Sequence, residues 1–240
     1  MPKRHFTKTK HLRLIANHRL LAFLVLLLSM LSLFPFVEAY ATDHRFALEF
    51  SFLVLLTMGI YIVTIDKRIM AITILLALLT ITIIGFNHLL NYPSLLLISL
   101  FLEIVFVGFT AIVIISHVLR YKRVTADKIY GAMCGYFLIG IVWALIFTLI
   151  ENAFPGAFRF TPNTFVTTQA VFGHHFYFSQ FLYFSFSTLT TLGYGDIVPL
   201  IDIARVASSF EAMFGQLYIA VLISRLVGLH IVHTHYQTYR

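Results

Sequence analysis

The sequence is poor in charge, in cysteine and in tryptophan. Only 11% of its 240 residues are Asp, Glu, Lys or Arg, and it holds one cysteine and one tryptophan. Cys134 lies inside an apolar run without a partner in the chain, which excludes a disulfide framework and a cysteine-rich zinc site. Set against 60% hydrophobic residues, the scarcity of charge also excludes a water-soluble domain, because a chain of this size cannot hide so much apolar surface in one core. The motifs of membrane enzymes are missing as well. There is no H-E-x-x-H, no G-x-S-x-G and no pair of acids in one apolar segment, so no catalytic residue is assigned and the chain reads as a non-enzyme without a cofactor. The net charge of +7 does not point to nucleic acid, because the basic residues are scattered between apolar segments and build no continuous face.

What the sequence does have is apolar length. The runs Leu20 to Val37, Phe50 to Ile65, Ile69 to Phe86, Tyr92 to His117, Ile129 to Ile150 and Val206 to Ser224 each approach the roughly 20 residues that a helix needs to cross hydrocarbon. They predict an all-α, multi-pass membrane protein with six transmembrane helices facing membrane lipid. A further stretch, Phe176 to Thr190, is apolar and aromatic but too short to span before glycines end it, which predicts a re-entrant half-helix. A cytoplasmic N-terminus leaves only Arg45, Arg159 and Arg205 of the 17 basic residues outside, so both termini are expected in the cytoplasm of a plasma or inner membrane. The basic start, the first apolar run and Ala39-Tyr40-Ala41 imitate a cleavable signal peptide. The run exceeds the roughly 7 to 15 apolar residues of a signal core, so it is expected to remain as the first helix.

The half-helix leads into TLTTLGYGDIVP, Thr188 to Pro199. At membrane depth, irregular backbone survives only where it is buried in protein or lines a watery path. The carbonyls of Thr191, Leu192, Gly193, Tyr194 and Gly195 suit such a path, because a row of carbonyl oxygens replaces the hydration shell of a cation. The two glycines admit backbone angles closed to other residues, which lets successive carbonyls face one way. Thr191 adds a side-chain oxygen at the inner mouth.

These residues resemble the potassium-channel signature T-x-x-T-x-G-Y-G-D, met here at Thr188, Thr191, Gly193, Tyr194, Gly195 and Asp196. Leu192 stands where valine is common, and its side chain is expected to point away from the ions. The resemblance runs from Ile129 to the C-terminus and implies an outer helix, a pore helix, a selectivity filter and an inner helix, with K⁺ as the permeant ion. One filter strand per chain implies a homotetramer, since four such loops form the ring. It further implies that Thr188, Tyr183, Asp196 and Glu211 support the filter, Tyr183 bracing Asp196 through its hydroxyl, and that Gln216, Ile219 and Ile223 face the central cavity. Glu211 reads either as a neutral, hydrogen-bonded acid behind the filter or as a pore-lining one. Gly215 reads either as an inner-helix hinge or as a site of close helix packing.

The first four helices are similar to the voltage-sensor domain of six-helix potassium channels, with one departure. Between Pro93 and Leu119 there is no Lys or Arg, and Glu103 is the only charged residue. Arg120, Lys122 and Arg123 follow the helix as interfacial residues. Steep voltage gating is therefore not expected. The organisation predicted is a basic cytoplasmic tail (1–19), a four-helix voltage-sensor-like domain without gating arginines (20–119), a cytoplasmic linker (120–128), a pore domain (129–230) and a short cytoplasmic tail (231–240). The few residues after Leu229 leave no room for an appended ligand-binding domain, so regulation is expected through the helices, the filter, the tails, lipid or another subunit. His230, His233 and His235 form a histidine-rich tract that could bind a metal or serve as an interfacial tail, and the outer pair His174 and His175 could titrate near neutrality. The function expected is passive, potassium-selective transport. The alternatives are a non-conducting accessory subunit that co-assembles with other channel subunits, and a less selective cation channel.

Overall fold

The computed structural model describes residues 19–40, 53–54, 56–61, 66–90, 92–120, 126–161 and 178–238. Their elements in chain order are α1 (Arg19–Tyr40), α2 (Lys67–Leu90), α3 (Pro93–Arg120), α4 (Ala126–Ala153), β1 (Phe158–Phe160), α5 (Phe178–Leu189), β2 (Ile197–Pro199) and α6 (Asp202–Thr238). Residues 53–54 and 56–61 are helical as well. Among the described residues the regular structure is helical except for one antiparallel pair of three-residue strands.

Six crossings are expected from the sequence, and among the described residues four helices are long and apolar enough to make one. They cover Lys67–Asn87, Ser94–Arg120, Ala126–Ala153 and Asp202–Arg225. The first predicted crossing, Leu20 to Val37, falls in α1. The second, Phe50 to Ile65, lies partly outside the described residues.

α4 is the centre of the arrangement and touches α1, α3, α5 and α6, while α3 also packs on α2. The sequence of α4 explains its place. Gly131, Ala132, Cys134, Gly135, Gly140 and Ala144 are all buried, and small residues let helix backbones approach closely where lipid offers no hydrophobic drive between helices. α1 buries Leu20, Phe23 and Leu27. Its first turn is tied to α4, because Leu20 N donates to Asp127 Oδ1 at 3.1 Å and Cys134 Sγ donates to the Leu20 carbonyl at 3.8 Å. Asp127 also places a negative charge at the positive end of α4. Buried hydroxyls close on their own helices: Thr73, Thr80 and Thr110 each donate to the carbonyl four residues earlier, which satisfies them without water.

Burial is uneven across the spans. Of the apolar window of α4, 56% is buried, against 11% for that of α6. Phe210, Met213, Phe214, Leu217 and Val221 of α6 are all exposed, so this helix presents a continuous apolar face that the single chain leaves uncovered.

Candidate functional site

α5 has 12 residues, so it rises only about 18 Å and stops short of a full crossing. Phe181, Leu182 and Phe184 bury its inner face, where Phe181 and Phe184 meet Phe147 of α4 and Phe158 of β1 with ring centroids 4.8 to 6.3 Å apart. The chain after α5 folds back onto the helix end. Thr191 N donates to the Thr188 carbonyl at 2.9 Å and Leu192 N to the Ser187 carbonyl at 2.8 Å. This 5→2 and 6→1 pair is a Schellman cap, which requires its C′ residue to be left-handed. The C′ residue is Thr191, with φ of 60°. A β-branched residue in this region is a strained outlier, held only because its surroundings over-determine it.

Strain at Thr191 begins a pattern. Gly193 and Gly195 have φ of 59° and 77°, while Leu192 and Tyr194 keep the ordinary sign. In an extended strand carbonyls point alternately to opposite sides. A left-handed residue at every second position turns successive peptide units the same way, gathering N–H groups on one side and carbonyls on the other. The N–H side is engaged: Gly193 N donates to Ser187 at its hydroxyl (3.1 Å) and its carbonyl (3.2 Å), beside the Leu192 bond. Among the described residues nothing donates to the carbonyls of Thr191 to Gly195. These oxygens are thus left without a donor among the described residues, a condition that a cation-facing row of carbonyls requires. Ser187 is a support that the sequence reading missed, because α5 also holds Ser179, Ser185, Thr188 and Tyr183 and a hydroxyl by itself did not single it out.

The predicted supports lie around this row. Tyr183 Oη donates to Asp196 Oδ2 at 2.8 Å, and its ring stacks on Tyr194 at 6.2 Å and 12°. Desolvation, the hydrogen bond to Asp196 and the charge of that carboxylate push the Tyr183 phenol up to about 12. It therefore remains a donor through the neutral range. Sign favours the brace at low pH: the contribution is complete below about 10, the ordinary tyrosine value, and is lost as pH rises through about 12. Thr188 is half-buried and contributes its carbonyl to the cap.

Behind α5, Glu211 of α6 is fully buried. Ser185 Oγ lies between the Gly140 carbonyl, 2.7 Å away, and Glu211 Oε1. A hydroxyl has one proton, so if Ser185 gives it to Gly140 the second bond needs a proton from the carboxyl. Both contacts are satisfied together when Glu211 is the neutral acid. Its other oxygen, Oε2, has no partner. Gly215 is buried one turn further along, where a β-carbon would collide with the backbone carbonyl of Leu189. Tyr136 Oη donates to that same carbonyl at 3.3 Å. α6 runs without interruption through Gly215.

Gln216, Ile219 and Ile223 are exposed in the single chain, as is most of α6 around them. The side chains of His230, His233 and His235, and both residues His174 and His175, lie outside the described residues, among which no group of His, Cys, Asp or Glu could hold a metal. Arg225, read from sequence only as a cytoplasmic charge, donates from α6 to the Leu119 carbonyl at the end of α3. That carbonyl is one of the last four of its helix, which have no partner within it.

No curated protein and no solved structure matches the chain. Residues 132–229, from α4 through α5 and the 188–199 segment into α6, match a family model described as an ion channel. With four helices of spanning length, this match supports an integral membrane protein whose C-terminal part is an ion-channel domain suited to passive ion transport.

Proposed function

We propose that the chain is a subunit of a potassium-selective channel in which four copies close one pore around their Thr191 to Gly195 carbonyls. The observation that supports this reading most is the alternation of left-handed residues at Thr191, Gly193 and Gly195, together with five successive carbonyls that have no donor among the described residues. A cation stripped of water supplies what those oxygens lack. The exposure of the strand supports assembly. Leu192 is 57% and Tyr194 68% exposed in one chain, α6 also carries an uncovered apolar face, and neighbouring copies would cover both. Thr188, Tyr183, Asp196 and Glu211 hold the strand from behind. Gln216, Ile219 and Ile223 line the cavity, and the C-terminal end of α5 directs its partial negative charge toward it. The ion is the substrate, and no cofactor takes part.

Purified protein in planar bilayers tests the proposal. Under bi-ionic conditions the reversal potential is expected to favour K⁺ over Na⁺, and native mass is expected to give four chains. Gly193→Ala and Gly195→Ala each place a β-carbon at a left-handed position and are expected to abolish the current or its selectivity. Equal K⁺ and Na⁺ permeability makes it a less selective cation channel. Silence alone, with current on co-expression, makes it an accessory subunit.

A further inference from the structure

The row of unused carbonyls begins at the strained Thr191, and something must decide where it ends. The five residues AFRFT, Ala157 to Thr161, run antiparallel to the chain leaving the filter, with Phe158 opposite Pro199, Arg159 opposite Val198 and Phe160 opposite Ile197. Each end of this pairing is fastened: Leu200 N donates to the Ala157 carbonyl at 2.8 Å, and Thr161 N to the Asp196 carbonyl at 2.9 Å. The strand is rooted in α4. Glu151 Oε1 accepts from Gly156 N at 2.9 Å and Oε2 from Phe158 N at 3.0 Å, while the Phe158 ring is wedged against Phe147, Phe181 and Phe184. The strand thus carries the rigidity of α4 and α5 to the far end of the filter.

Thr161 then does something that strand pairing alone does not require. Its hydroxyl also donates to the Asp196 carbonyl, at 3.0 Å, so one oxygen accepts two hydrogen bonds from a single residue. A carbonyl has two lone pairs, and this one has both in use. The carboxylate of Asp196 is held independently, Oδ2 by Tyr183 and Oδ1 by Ile197 N. Gly195 is consequently the last residue whose carbonyl is open.

The geometry points to Thr161 as a positioning residue that ends the carbonyl row at Gly195 by taking up the Asp196 carbonyl, and so holds the outer end of the filter in its conducting form. The ionic consequence rests on the potassium-channel reading; the clamp itself does not. Thr161→Val keeps the side-chain shape and the backbone N–H but removes the hydroxyl, whereas Thr161→Ser keeps both donors.

Two measurements on the full chain in bilayers and vesicles test the assignment. K⁺ current through Thr161→Val is expected to decay about fivefold faster than wild type, the rate equivalent of one net hydrogen bond, and raising external K⁺ is expected to slow that decay. Thr161→Ser is expected to restore the wild-type time course, which a residue important only for packing would not do. Hydrogen exchange over 157–161 and 196–200 is expected to be slow in wild type and in Thr161→Ser, and faster in Thr161→Val if that variant folds with native mass. Identical decay of Thr161→Val and wild type overturns the proposal, as does fast exchange at these segments in the wild type. A wild type that discriminates poorly between K⁺ and Na⁺ yet protects both segments refutes the functional reading and leaves the clamp supported.

Discussion

At the scale of single residues, conformation and protonation are set by what the neighbours leave available. Thr191 is left-handed because the cap of α5 needs such a residue at that point, and the cost of about 1–2 kcal/mol is offset by the amide bonds that follow it. Glu211 shows the same dependence. Buried with Ser185 and Gly140, it completes its contacts only by carrying a proton, a role that glutamine reproduces at any pH through its amide N–H. Glu211→Gln is therefore expected to keep unitary conductance and to remove whatever pH response this residue gives to open probability. Glu211→Ala leaves the Ser185 oxygen without the carboxyl proton and empties a fully buried site, and is expected to destabilise the fold by about 1–3 kcal/mol. Single-channel recording across pH checks the first outcome and thermal unfolding the second. A sharp fall in conductance of Glu211→Gln with unaltered gating would place the carboxyl on the ion path.

At the scale of elements, α5 and α6 meet where Gly215 admits the Leu189 carbonyl, and this contact gives the glycine a packing reason independent of any bending. The two readings of Gly215 separate in a simple substitution. Alanine in place of glycine inside a helix raises stability by up to about 1 kcal/mol when nothing is touched. Here the added carbon meets backbone, which cannot move aside as a flexible side-chain tip can. Gly215→Ala is expected to lower the melting temperature and to loosen α6 from α5. A raised melting temperature with impaired opening would instead identify the residue as a hinge. The sequence left both readings standing because a lone glycine in an apolar helix does not say which backbone passes it.

At the scale of the whole molecule, α3 offers the membrane field no Lys or Arg side chain within its apolar span, where Glu103 is its one charged residue. Moving one elementary charge through 100 mV is worth about 2.3 kcal/mol, and steep opening needs several such charges in each subunit. α3 has no Lys or Arg before its last residue, Arg120. The helices before α4 instead form a packed support. α3 lies between α2 and α4, α1 is fastened to Asp127, and Arg225 links α6 to the end of α3. Open probability measured against voltage in symmetric K⁺ is therefore expected to change shallowly. An effective gating charge of several units per channel would contradict this and would direct attention to Arg120, Lys122 and Arg123.

Apolar run length and the T-x-x-T-x-G-Y-G-D spacing were readable along the chain, because hydrocarbon thickness and filter geometry act on contiguous residues. They pointed to the membrane class, to the short helix α5 and to Thr191 to Gly195 as a candidate carbonyl row. Residues brought together across the fold were beyond that reading. Thr161 reaches Asp196 over 35 positions, Ser185 reaches Gly140 over 45, and Arg225 reaches Leu119 over 106. Even the left-handed turn at Thr191, inside the motif, was hidden, because threonine disfavours it and only the capping of α5 imposes it. Sequence fixes what contiguous segments are able to form; packing decides which distant donors reach which carbonyls, and through them where the open row starts and where it stops.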